Sequence, residues 1–228
     1  MKLIKLLILI LVTISINLIF VSSSVYAQQQ IPNSHTEKDN NNIQNNGEIA
    51  KPIVHVTIEG TVNDDKMKGG DGNDRISGEN GDDTLNGGMG DDKIFGNDGN
   101  DKINGELGDD NLDGGEGNDN IKGEGGDDEL LGDEGDDKLD GGRGNDELDG
   151  DDGNDKIKGG DGNDELSGGN GDDELEGGEG KDKMKGGKGA DTFICDLADK
   201  ISDFNSAEGD RKIGQCSVVD EALAEPKL

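Results

Sequence analysis

Residues 69–77 read Gly69-Gly70-Asp71-Gly72-Asn73-Asp74-Arg75-Ile76-Ser77, and residues 159–167 read Gly159-Gly160-Asp161-Gly162-Asn163-Asp164-Glu165-Leu166-Ser167. The same nine-residue phase runs from Gly60 to Ile194 without insertion or deletion, giving fifteen units in 135 residues. Position one is Gly in every unit, and position four is Gly in fourteen, with Asn63 the exception. Position six is Asp throughout. Position eight is always apolar, from Met67, Ile76 and Leu85 to Phe193. A fixed period of this length marks stacked repeats. An acidic disordered tract has no reason to hold Asp and one hydrophobe in register over such a span.

Each position points to a physical role. Gly at positions one and four permits positive φ, so the first six residues of a unit are expected to form a tight turn with inward carbonyls. The last three residues leave room for a brief strand whose middle side chain points inward. Strands stacked in this way run parallel within each sheet, wound as a coil. One Ile or Leu per nine residues fills only a thin interior, so something else must hold the turns together. Asp oxygens and backbone carbonyls converging on a turn suit Ca²⁺, which takes six to eight oxygen ligands in flexible geometry. Mg²⁺ is less suited, since it tends to keep its waters. Zn²⁺ is poorly supported, because the two His residues, His35 and His55, lie outside the array and no thiolate lies in the turns.

The pattern Gly-Gly-x-Gly-x-Asp-x-apolar-x resembles the calcium-binding nonapeptide of the RTX (hemolysin-type) family, unit by unit over residues 60–194. The resemblance implies an all-β fold: a right-handed parallel β-roll, a solenoid of nine-residue repeats, closed by a short C-terminal cap. It implies Ca²⁺ between each turn and the next on the same side. Carbonyls two and four plus Asp six would come from one turn, and carbonyls one and three plus Asp six from the next. One site would then use the carbonyls of Asn97 and Gly99 with Asp101, and the carbonyls of Gly114 and Glu116 with Asp119. The implied metal-ligating carboxylates are Asp65, Asp74, Asp83, Asp92, Asp101, Asp110, Asp119, Asp128, Asp137, Asp146, Asp155, Asp164, Asp173, Asp182 and Asp191. Fifteen turns make thirteen same-side pairs, so about ten to thirteen ions are expected. Lys181 and Ala190 replace the Asn or Asp found at position five of earlier units, and Lys183, Lys185 and Lys188 add charge, which predicts weak or empty terminal sites.

Composition agrees with a metal-braced coil. The 228 residues include 41 Gly, 3 Pro and no Trp, 28% are hydrophobic, and the net charge is −32. Such a chain lacks the side chains for a conventional core, and a polyanion repels nucleic acid. Of its charges, 42 acidic and 14 basic residues fall inside the array. Self-repulsion and Gly entropy are expected to keep the array unfolded without metal, so that binding supplies the folding energy.

Outside the array, Lys2 and Lys5 precede an apolar stretch from Leu6 to Val21, and Val25-Tyr26-Ala27 suits cleavage before Gln28. Residues 1–27 therefore read as a signal peptide and the chain as secreted, with no membrane span after cleavage. An uncleaved anchor, Leu3 to Val21, is the competing reading. Residues 28–50 are Gln- and Asn-rich and read as a disordered linker. Within 51–59, residues 52–58 read as a capping strand, with Ile58 on the position-eight phase. In the cap and tail, 195–228, Ile201, Phe204 and Ile213 are expected to cover the open end. Cys195 and Cys216 are a possible disulfide in an exported chain, with two independent thiols the alternative.

No HExxH, GxSxG or P-loop pattern occurs, and residues 28–59 are too short for a catalytic domain, so no enzyme is expected. The remaining purposes are a structural or extracellular-matrix role, an adhesin that binds a cell-surface or polysaccharide partner when calcium is present, or, least favoured, an accessory piece of a secreted toxin or enzyme.

Overall fold

Two parallel sheets wind through the chain in alternation. The computed structural model describes the backbone of residues 33–38 and all of residues 53–219. The expected leader (1–27), the rest of the linker and the end of the tail lie outside the described residues. Strands Arg75–Asn80, Lys93–Asp98, Asn111–Glu116 and their successors to Lys183–Lys188 belong to an eleven-stranded sheet. Strands Lys66–Asp71, Thr84–Met89, Lys102–Leu107 and their successors to Thr192–Cys195 belong to a nine-stranded one. Each repeat strand pairs in parallel with the strand two units on, as Ile94 with Leu112 and Ile103 with Ile121. No helix occurs among the described residues. The chain is a parallel β-roll.

The position-eight residues form its core. Ile76, Ile94, Leu112 and their in-register successors line one sheet, and Met67, Leu85, Ile103 and theirs line the other. All fifteen are at most 5% exposed. The period of nine makes this possible. One strand and one turn bring the chain to the opposite sheet, and the next nine residues return it one strand further along.

The strands are longer than the sequence suggests. They occupy positions seven to three, six residues across the unit boundary, as in Lys93–Asp98. The expectation of a six-residue turn and a three-residue strand is corrected accordingly. Gly at positions one and two has little β preference of its own. The ladder from the neighbouring same-side strand nevertheless carries through them, pairing Asn97 with Gly115 and Asp98 with Glu116.

The ends follow the same register rules. The N-terminal strand is Val54–Thr61, later than the expected 52–58, and pairs Ile58 with Ile76. Strand Asn33–Lys38, within the expected linker, lies antiparallel on its free edge, which an unpaired edge invites. At the C-terminus Ile201 is buried and Phe204 packs beside Phe193, with ring centroids 6.2 Å apart. Ile213 does not cover the end: it is 51% exposed. An extra residue after Asp210 puts Lys212, not Ile213, in register with Phe193. A one-residue slip turns a side chain to the opposite face. Cys195 and Cys216 are joined by a disulfide, with Cα atoms 5.5 Å apart. A loop of this length is stabilised by about 3 kcal/mol in the chain-entropy account.

Candidate metal centre

The turn between strands is three residues long and carries the functional side chains. Gly at position four turns the chain at positive φ, for example 144° at Gly99 and 133° at Gly117. A Cβ on Gly117 would collide with the Gly99 carbonyl of the preceding same-side turn, so both space and conformation demand Gly. Position two is the other positive-φ site. Asn97, Glu106 and Glu124 adopt it, as do the glycines that hold that place elsewhere, such as Gly115. Position one differs from expectation: Gly96 and its equivalents have ordinary φ. They are needed for room, since a Cβ on Gly96 would meet both Asp101 Oδ2 and the Gly114 carbonyl oxygen.

The position-six aspartates are buried and linked into two ladders. The Asp101 N–H donates to Asp119 Oδ1 at 2.7 Å, and the Asp119 N–H donates to Asp137 Oδ1 at 2.7 Å. The same rung recurs every eighteen residues on both edges of the roll, from Asp65 to Asp83 and from Asp74 to Asp92. One ladder ends on Asp210 and the other on Asp199, both in the tail. The sequence pattern did not mark these two as members, because their spacing departs from eighteen.

Oδ1 is thus satisfied, and Oδ2 is not. In thirteen of the fifteen aspartates, from Asp74 to Asp182, the buried Oδ2 has no hydrogen-bond partner. Burial pushes the Asp119 carboxyl up to about 7; the Asp101 N–H opposes the rise, and the charges of Asp137 and Asp101 add to it. Asp110 and Asp155 are likewise raised to about 7, and Asp92 and Asp137 to about 6, with desolvation the main cause in each. A buried, unpaired carboxylate oxygen costs several kcal/mol or takes up a cation or proton.

The carbonyls complete the setting. Asp101 Oδ2 and the Gly114 carbonyl border the same space beside Gly96, while the Asn97 and Gly99 carbonyls face Gly115 and Gly117 of the next same-side turn. The Glu116 carbonyl accepts the Gly99 N–H at 2.8 Å, leaving it one lone pair. Among the described residues, no three His, Cys, Asp or Glu side chains converge. The donor set is therefore a few carboxylates plus main-chain carbonyls, all hard oxygens. That chemistry fits Ca²⁺ and not Zn²⁺.

The profile of the RTX calcium-binding nonapeptide repeat matches the sequence in four copies, at residues 59–94, 86–121, 122–157 and 158–193. The chain belongs to the RTX calcium-binding nonapeptide-repeat family. No curated protein matches it significantly. RTX repeats bind Ca²⁺, and the oxygens between same-side turns are where this chain can hold it.

A second ladder of this RTX roll went unassigned in the sequence. Position-five side chains accept the N–H of the next same-side position five: Asp127 Oδ1 takes the Asn145 N–H at 2.7 Å, and Asn145 Oδ1 takes the Asn163 N–H at 3.1 Å. Only Asn and Asp place an acceptor oxygen at that reach, which explains their use at position five up to Asp172. The series ends where Ala190 donates to Asp172 Oδ1. Two of the terminal lysines bond to surface groups rather than to position-six aspartates. Lys183 pairs with Glu165 at 3.0 Å, and Lys188 donates to Asn170 Oδ1 at 2.7 Å.

Proposed function

We propose that this chain is an exported structural protein whose roll folds on binding about thirteen calcium ions, one for each orphaned aspartate oxygen. The thirteen buried Oδ2 atoms without donors carry the reading. Cation binding there neutralises facing carboxylates and ties each turn to its same-side successor, a role the thin apolar core leaves open. The Asp side chains and carbonyls orient toward that space, and position-one glycines keep it clear. Affinities near those of extracellular modules, roughly 10⁻⁴–10⁻³ M, would leave the chain unfolded in the cell and folded outside. The leader-like residues 1–27 and the Cys195–Cys216 disulfide favour export to an oxidising compartment. A matrix or cell-surface component is its proposed setting, and no reaction is assigned to it.

Circular dichroism of the chain in calcium and in EGTA tests the coupling. The β signal is expected in calcium and lost in EGTA; a signal indifferent to EGTA rules the coupling out.

A further inference from the structure

The ends of the aspartate file differ from its interior, and the difference bears on which pairs hold an ion. This inference rests on the calcium reading above. The orphaned Oδ2 atoms run without a gap from Asp74 to Asp182, and Asp65 and Asp191 are not among them.

At the N-terminal end the reason is local. Thr61 donates to Asp65 Oδ2 twice, from its N–H at 2.6 Å and its Oγ1 at 2.9 Å. Thr61 holds position two of the first unit. All fourteen later position-two residues have positive φ, and Thr61 does not. A β-branched side chain disfavours that conformation. The Thr61 peptide instead presents its N–H to the carboxylate. Position four of the same unit is Asn63, which also lacks positive φ. Protein donors occupy the oxygen that every interior turn leaves open.

At the C-terminal end the tail extends the file. Asp182 is 1% exposed with an orphaned Oδ2, and its N–H donates to Asp199 Oδ1 at 3.2 Å. This is the rung made by the interior pairs. Asp199 is fully buried, lies beyond the matched repeats, and follows Asp182 by 17 residues. Its own Oδ2 accepts the Asp196 N–H at 2.7 Å, which stops the ladder there. On the other edge, Asp210 Oδ2 is likewise taken by the Asn205 N–H, and the Phe193 ring crowds Gly186 beside Asp191.

We propose that the ion file is displaced toward the tail: the first same-side pair, Asp65 with Asp83, is plugged by Thr61 and holds no calcium, while Asp182 and Asp199 form a site outside the repeats. The total remains thirteen, with twelve pairs inside the array and one shared with the cap. The disulfide and the Asp196 turn then hold the last ligand, so the cap serves as part of a metal site as well as a lid.

Native mass spectrometry of the whole chain in calcium counts the ions directly. Asp199→Ala is expected to lower the count by one. The double variant Thr61→Gly, Asn63→Gly restores the turn geometry of the interior units and is expected to raise it by one. Circular dichroism confirms that each variant is folded, and the second keeps the test alive if the first loses its cap. An unchanged count in Asp199→Ala overturns the tail site, and an unchanged count in the double variant overturns the plug. Binding of no calcium at all overturns the functional reading and this inference together. A loaded chain whose count ignores both changes overturns this inference alone.

Discussion

Two glycines of the same roll predict opposite responses to a single methyl group. Gly96 sits at position one, where an added Cβ meets the Asp101 carboxylate and the Gly114 carbonyl. Those atoms are main chain and a buried side chain, so neither yields without disturbing the ion space. Gly125 sits at position three with no positive φ, and its nearest neighbour to an added Cβ is a Leu107 methyl at 3.7 Å. There, Ala costs no strain and reduces the freedom of the unfolded chain, which stabilises by roughly 0.4–1 kcal/mol. Calcium titrations followed by circular dichroism are therefore expected to show a midpoint raised several-fold by Gly96→Ala and slightly lowered by Gly125→Ala. Equal effects would mean that the space beside Gly96 takes up a methyl group and that room is not what position one demands. Exposed side chains contribute little by comparison. Arg75 over the Phe95 ring, 4.4 Å from its centroid, is a surface contact of about 0.5–1 kcal/mol.

At the scale of the element, each turn is held by two hydrogen-bond ladders running in opposite senses. The inner one passes from a backbone N–H to the next carboxylate, and the outer one from a side-chain oxygen to the next N–H. Asn145 belongs to the outer ladder, accepting from Asn163 N–H and Nδ2 and donating its own N–H and Nδ2 to Asp127. Asn145→Ala removes three of these bonds at an exposed site, and is expected to destabilise the calcium-loaded roll by about 1 kcal/mol, read from the thermal midpoint. Asn145→Asp, which keeps the acceptor, should retain most of the stability. Much of this element was legible in advance. A single apolar phase and an invariant Asp per nine residues give the parallel strands, the interior and the carboxylate file, because each needs only one residue type at one phase. Strand length was not legible, since Gly-Gly at positions one and two carries no strand signal and is ordered by its neighbours. The outer ladder was visible as an Asn/Asp preference, but its purpose depends on the contact between residues eighteen apart. Nothing in the repeat pattern singles out Thr61; its φ is what sets it apart from the other position-two residues.

For the whole molecule the decisive quantity is the charge gathered in the two files. Each raised carboxyl binds a proton more tightly in the folded, metal-free roll than in the unfolded chain, where its value is near 3.8. Folding without calcium therefore takes up protons between about pH 4 and 7. In that window the stability of the metal-free roll falls as pH rises; below it the penalty is absent, and above about 7 it is fully present. Calcium reverses the direction, because it binds the ionised carboxylates and protons compete with it. Two opposite slopes follow for one protein. In EGTA, the β signal is expected to grow as pH is lowered from about 7.5 to about 5, as protons stand in for the missing cations. In limiting calcium, the concentration needed for half folding is expected to rise over the same range. Circular dichroism measured as a pH series with and without EGTA checks both. A metal-free chain that stays unfolded at pH 5 would place the barrier to folding in the entropy of its 41 glycines and not in its buried carboxylates. A calcium midpoint that does not move with pH would mean that the ions are held by carbonyls alone.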